Sequence, residues 1–417
     1  MPIDKKFFRN WALFVLGALL VAVYSWGLNK PTMPYFDEVH YVGFVRGLLD
    51  QHRFIETANV HPPLWHLLMA FTVLILGDVA VAWRLVSLIA GILLFIPLYL
   101  VAKRITQSRS VAFLSVFLLA FDCLSLTQAR AAMMNPLMML FILWGIHFFF
   151  EAWPPKAKMR REPFFYCGLF MGLALATKLV TLSVYLFLFP LLAVEWFKRK
   201  QERGRILKDT GIFLLLVPAF LFVASYLFVP FLKGRTWSDI WGIWRFHMDY
   251  NLTMNQTHSY SSRWWSWPLM LRPIWFYFTA QRWGMPDGMM SGIIGIGNPA
   301  VFWMIPVAVI NLIVMSIFRK SRTAAIVLLG FLTQWLAFAP MKRLQFFHYF
   351  YSVMPFVVMA LGLLLKELWA QKGVWRVMVV FYLILVAGMF VFWYPLLANI
   401  PISNAYYDQH IWFRSWI

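Results

Sequence analysis

Cysteine is nearly absent from this 417-residue chain: its two thiols, Cys123 and Cys167, both fall inside long apolar runs. That leaves no basis for a disulfide framework or a cysteine-based metal cluster. Charge is scarce too, at 13% of residues, and the acids number 17 against 37 Lys and Arg. Internal repeats, low-complexity stretches and a separate soluble domain are all missing. What fills the chain is apolar: 62% of residues are hydrophobic and 19% aromatic, with a mean hydropathy of +0.69. Such values lie outside ordinary soluble domains and imply an all-α polytopic membrane protein, a single unit over 1–417.

Apolar runs at 11–28, 79–102, 111–128, 136–152, 164–177, 180–197, 211–232, 299–318, 323–340, 345–365 and 375–397 predict about eleven spans. Several are short for a bilayer that needs about 20 helical residues. The formal charge of +20 raises the question of nucleic acid, but the distribution of the charge answers it. More than half of the basic residues crowd into Lys5 to Arg9, Lys103 to Arg109, Lys156 to Arg161, 198–208, Arg319 to Arg322 and Lys366 to Arg376. With a cytoplasmic N-terminus, all of these connections lie inside, as the positive-inside rule requires, and no nucleic-acid partner is expected. The first run has basic residues ahead of it, as a signal peptide would. It is long, however, and ends in SWGLNKP without a small-x-small cleavage site, so an uncleaved first span is expected.

This orientation places two long loops outside, 29–78 and 233–298, together with the C-terminal tail. Within the first, residues 64–77 follow His61-Pro62-Pro63 and are too short to span comfortably. They read as a helix lying in or dipping into the interface, with the prolines in its first turn. The second loop holds Trp237, Trp241, Trp244, Trp264, Trp265, Trp267, Trp275 and Trp283. Such a crowd suits an interfacial aromatic belt, and aromatic faces also stack on sugars; composition does not separate the two.

The candidate chemistry sits in PYFDEVHYVGFVRGLL. Adjacent acids on a loop are commonly just solvated, and in a turn or helix Asp37 and Glu38 point in different directions. Their setting among Tyr35, Phe36, His40, Tyr41 and Phe44 implies partial desolvation, which raises a carboxylate pKa and makes it a better base. A second signal is cations at awkward depth. Arg84, Arg130 and Lys178 fall at the exterior ends of spans, where they either snorkel to the interface or hold an anionic headgroup. Arg272, Lys342, Arg343 and His348 join the same side.

These residues resemble the protein O-mannosyltransferase family. FDEVHY followed by ANVHPPLWHLL is similar to the family's first exterior loop, with its acid pair and a His-Pro-Pro-Leu helix start. LTQARAAMMNPLMMLF, GLALATKLVTL, SYSSRWWSWPLMLRPIWFYF and RLQFFHYFYSVMPF resemble further segments in the family's order and cover most of the chain. The resemblance implies a GT-C fold with eleven spans and an inverting transfer of mannose, or another hexose, from a polyprenyl-phosphate donor to Ser or Thr of a secreted or membrane protein. It departs in two places. Asn135 stands where many relatives carry a second acid, so no metal-binding carboxylate pair and no cofactor are assumed, and the second loop has no room for a MIR domain, which points to a bacterial type.

On this reading Asp37 is the catalytic base and Glu38 orients the acceptor or its neighbours. Arg130, Lys178, Arg343, Arg272 and His348 are candidates for the donor phosphate, and His61, Tyr41, Trp264 and Trp265 for acceptor contact or loop organisation. The enzyme is expected in the cell's inner (plasma) membrane among its lipids, working on the exterior face. Two other readings are a GT-C transferase acting on a lipid or envelope glycan, and a transporter of a lipid-linked sugar. The transporter reading lacks the paired, interrupted halves that transporters show.

Overall fold

The computed structural model describes residues 17–55, 60–154, 157–253, 257–280 and 285–417. Lys5, Lys6, Arg9, Lys156, Trp283 and the start of the expected span 11–28 lie outside the described residues. Most of the chain is helical. The first long loop carries α1 (Glu38–Gln51) and α2 (Leu64–Leu76). Pro63 is the N-cap residue of α2, and Leu68, Phe71, Leu74 and Ile75 are left exposed along it.

Beyond it, α3 (Ala80–Leu93) and α4 (Phe95–Thr106) form one continuous span, Ala80–Thr106. Next come α5 (Arg109–Ala120) and α6 (Cys123–Arg130), bent by 62°. Asp122 enforces the break. Its carboxylate caps α6 by accepting from Ser125 N at 2.9 Å and also takes Asn298 N at 3.0 Å, so the chain cannot continue straight. Helices α7 (Asn135–Ala152) and α8 (Arg161–Leu175) lead to α9 (Tyr185–Lys198). Later spans are Lys200–Phe231, Pro299–Ile317, Phe347–Ala370 and Val374–Leu396.

Among the described residues, 7 helices are long and apolar enough to cross a membrane, or 8 if the bent pair is one span. The expected spans 164–177 and 323–340 form helices of 15 residues, α8 and α10 (Arg322–Leu336). At about 1.5 Å per residue these are shorter than a hydrocarbon core of roughly 30 Å.

One small β element accompanies the helices. The Trp-rich loop and the tail build a three-stranded antiparallel sheet, with β1 (Ile274–Ala280) beside β2 (Met289–Gly295) and β2 beside β3 (Ile402–Ser403). The register of β1 on β2 slips between Trp275 and Tyr277, leaving Phe276 as the extra residue of a bulge.

The basic connections meet one another at one end of the bundle. Arg161 forks onto Asp209 at 2.8 and 2.9 Å, Arg322 reaches Glu195 at 3.3 Å, and Arg199 ties Glu195 to the carbonyl of Pro154. Arg319 pairs with Glu367, and Arg104 donates to the carbonyl of Phe150. The acid pair, the sheet and the tail lie at the start of α3, the opposite end of the span that terminates in Lys103 and Arg104.

Candidate active site

The two acids of the first loop diverge in role because the backbone turns between them and the preceding aromatic. Phe36 sits at φ +51°, in the left-handed region, and Asp37 follows as the N-cap of α1 with no side-chain capping bond. Glu38, 0% exposed, is consumed by the protein. Its oxygens accept Arg84 Nε and Nη2, both at 2.9 Å, Ala132 N at 2.7 Å and Tyr35 N at 3.4 Å. Arg84 in turn donates to the carbonyls of Leu28 and Pro31 and lies over the Tyr35 ring. With both oxygens engaged by protein donors, Glu38 pins the loop to α3 and to the turn after α6, so its side chain orders the residues around the site.

Asp37 keeps its carboxylate for other work. It is half-buried and accepts the Tyr41 hydroxyl at 3.4 Å. Burial pushes its carboxyl above the ordinary range, against the opposing pull of Lys178, His40, the Tyr41 hydroxyl and His258. Tyr41, packed edge-on against Trp65 and His66, has its phenol pushed up by burial and by Asp37, so it remains an O–H donor.

A cavity of about 1030 Å³ lies beside this pair. Its polar end is lined by His61, Asn135, Lys178, Lys342, Arg343 and Tyr349. Lys178 is buried, donates to Asn135 Oδ1 at 2.8 Å and stands 5.3 Å over the Tyr349 ring. Asn135 is fixed by donating to Gln128 Oε1 at 2.8 Å. Arg343 donates to the Tyr349 hydroxyl at 3.3 Å. Burial, then the neighbouring Arg343, push the Lys178 ammonium down to about 7, with Asp37 pulling the other way. His61 is held well below its usual range by burial and the same two cations, which keeps it neutral. The rest of the cavity is an apolar trough between α9 and α10, with Leu182 and Leu186 53% and 55% exposed along its mouth.

The remaining expected site residues stand elsewhere. Arg130 is buried at the end of α6 and donates to the Tyr24 carbonyl at 2.8 Å, beside Arg84 and outside the cavity lining. Arg272 bridges the carbonyls of Ser259 and Ser415, tying the second loop to the tail. His348 lies behind the site, edge-on to Phe36 at 5.5 Å and stacked on Phe346. Trp264 packs on Trp335 and accepts its indole N–H, so it organises the loop, whereas Trp265 is 53% exposed. Arg130, Arg272 and His348 thus stand outside the lining of this cavity, the first two donating to backbone carbonyls and the third packed among aromatic rings.

Three residues at the heart of the geometry carry no such role in the sequence reading. Asn135 was marked there as a missing acid, yet it seats Lys178. Tyr349 lies beside His348 in the aromatic RLQFFHYFYSVMPF segment, which was its one available signal. Gln128 had none. Among the described residues, no three His, Cys, Asp or Glu side chains gather as metal ligands would.

Residues 14–231 match the family model described as dolichyl-phosphate-mannose-protein mannosyltransferase, and 236–416 match the C-terminal four TMM region of protein-O-mannosyltransferase. A polyprenol-phosphate-mannose-protein mannosyltransferase of Mycolicibacterium smegmatis is 25% identical, covering 100% of this chain and 94% of the relative. Its Mycobacterium tuberculosis counterpart is 26% identical, with 100% and 93% covered. In fold, the chain is similar to the S. cerevisiae protein O-mannosyltransferase Pmt1-Pmt2 complex bound to the sugar donor, with a TM-score of 0.84 at 14% identity and 100% and 93% covered. ArnT from Cupriavidus metallidurans bound to undecaprenyl phosphate is similar at a TM-score of 0.62 and 16% identity, with 93% and 71% covered. Matched along both halves by the family's own models, the chain belongs to the protein O-mannosyltransferase family.

Proposed function

We propose that this membrane protein moves mannose from a polyprenyl phosphate to Ser or Thr hydroxyls of exported proteins, with Asp37 as the base and Lys178 and Arg343 holding the donor phosphate. One observation carries the site assignment: a half-buried carboxylate that accepts the Tyr41 hydroxyl lies within electrostatic reach of a buried ammonium at the polar end of an apolar trough. The trough suits an isoprenoid chain entering sideways from the bilayer, and the cations suit the phosphate at its head.

A serine hydroxyl is too weak an acid to ionise beforehand, so its proton must leave as its oxygen bonds to the anomeric carbon. Asp37 accepts that proton while the bond from the anomeric carbon to the phosphate oxygen breaks. The leaving phosphate passes from a singly charged diester to a monoester bearing nearly two charges. Fixed cations stabilise that growing charge more than the ground state, which is the differential binding that lowers a barrier. Neutral His61 borders the same space as a hydrogen-bonding group.

The positive-inside bias supports an inner-membrane enzyme with a cytoplasmic N-terminus and this site on the exterior face. The assay is membranes supplied with labelled polyprenyl-phosphate mannose. Label should enter protein in wild type and not in Asp37→Asn, whose donor binding should persist. Near-normal turnover by Asp37→Asn would sink the base assignment, and label confined to lipid would overturn the protein acceptor.

A further inference from the structure

The left-handed residue before Asp37 is a phenylalanine, not the glycine or asparagine that adopts such a φ without strain. A bulky residue stays there only if its surroundings hold it. The Phe36 ring is stacked on Phe276 with centroids 4.4 Å apart and planes 6° from parallel. The edges of His348 and Phe346 complete the clamp at 5.5 and 6.5 Å.

Phe276 is itself the bulged residue of β1. Ile274, Trp275 and Phe276 are buried in succession, as are the β2 residues across from them, so both faces of the sheet are covered at this end and the bulge changes where the Phe276 ring is aimed. Gly295 opposite leaves the space, since a Cβ there would come within 3.0 Å of the Phe276 ring. The strand is locked from behind, where Trp275 donates to the Trp416 carbonyl at 2.8 Å and Trp416 donates to the Met270 carbonyl at 3.0 Å.

We infer that the bulge serves the reaction: Phe276 is a positioning residue whose ring clamps Phe36 in the left-handed turn that aims Asp37 at the acceptor hydroxyl. The inference rests on Asp37 being the base. A bulge re-aims one side chain at the cost of ladder bonds, and here the re-aimed ring is the one that meets the strained turn. Loss of the stack lets Phe36 relax to negative φ and swings the carboxylate away, while the phosphate site at Lys178 and Arg343 stays intact.

The test uses the full-length protein with polyprenyl-phosphate mannose and a synthetic Ser/Thr-rich peptide. Phe276→Ala should lower kcat by about 10- to 100-fold, the scale of a misplaced catalytic group, with the KM for donor nearly unchanged. Phe276→Tyr, which keeps the stack, should work nearly as wild type. Adding Phe36→Asn to Phe276→Ala should recover part of the loss, because Asn adopts the left-handed conformation without a ring to hold it; a purely structural packing role predicts a further decline. Should Phe276→Ala not fold, Phe276→Leu preserves bulk without stacking and gives the same readout. A normal kcat in Phe276→Ala or Phe276→Leu, a change confined to KM, or a double variant no better than the single overturns the inference. Asp37→Asn run in parallel separates the two ideas: turnover there overturns the base assignment, whereas an inactive Asp37→Asn beside a fully active Phe276→Ala overturns the positioning role alone.

Discussion

At the level of single residues, the proposed chemistry needs Asp37 ionised and Lys178 protonated at the same pH. The Asp37 carboxyl is raised by burial, so base function is lost as pH falls through that raised value. Lys178 is lowered to about 7, so the free enzyme loses its phosphate-holding charge as pH rises through neutrality. The kcat/KM profile should be bell-shaped with its alkaline limb near 7, and the limb in kcat should lie higher because bound phosphate favours the ammonium. Lys178→Arg should flatten the alkaline limb, since a guanidinium does not titrate there. A wild-type profile level well above neutrality would refute the role of Lys178. The acids separate in a second measurement: Glu38→Gln leaves Arg84 buried without its counter-charge and should cost about 3–5 kcal/mol of stability, seen as a lower Tm in detergent. Asp37→Asn should leave Tm unchanged and remove turnover. The sequence made the pair legible as a site but not its division of labour. That division is decided by the turn at Phe36 and by Arg84, 46 positions from Glu38.

Elements show the same split between local and non-local information. Helices were legible because apolar runs of span length have few other fates, and the start of α2 after two prolines was legible for the same local reason. The sheet was not. Its first strand, IWFYFTA, lies in a Trp-rich loop, and its run of five apolar residues carries no period-two alternation to announce it. Cations at span ends were equally ambiguous: position fixes depth but not direction, so Arg130 turned to a backbone carbonyl while Lys178 turned to the cavity. Close helix packing gives a prediction at this scale. Gly168 and Gly172 lie four residues apart on one face of α8, where a Cβ at 168 would fall 1.7 Å from the Phe213 carbonyl oxygen and one at 172 would fall 2.9 Å from Pro218. Small residues at this spacing let helices approach within a membrane. Gly168→Ala should therefore cost about 1–3 kcal/mol through overpacking, read as a lower Tm. Gly204→Ala, where a Cβ meets nothing within 4 Å, should not.

For the whole molecule, the decisive question is which end faces the acceptor. The basic connections gather at one end and neutralise one another only in part, through pairs such as Arg161 with Asp209 and Arg322 with Glu195. The surplus positive charge favours keeping that end cytoplasmic, and the proposed orientation, with Asp37 and the trough's polar head outside, rests on that bias. Cysteine chemistry can check this cleanly, because Cys123 and Cys167 are both fully buried and contribute little background labelling. Trp265→Cys places a thiol on the second loop at a position 53% exposed, and Lys198→Cys places one at the basic end, where the side chain is 51% exposed. On intact cells a membrane-impermeant maleimide should label the first variant, and the second only after permeabilisation. The reverse pattern would invert the topology and move the proposed base to the cytoplasmic side, away from exported proteins. Labelling as expected, together with loss of transfer in Asp37→Asn, would join the charge distribution and the acid's environment in a single account of why the reaction takes place on the far side of the membrane.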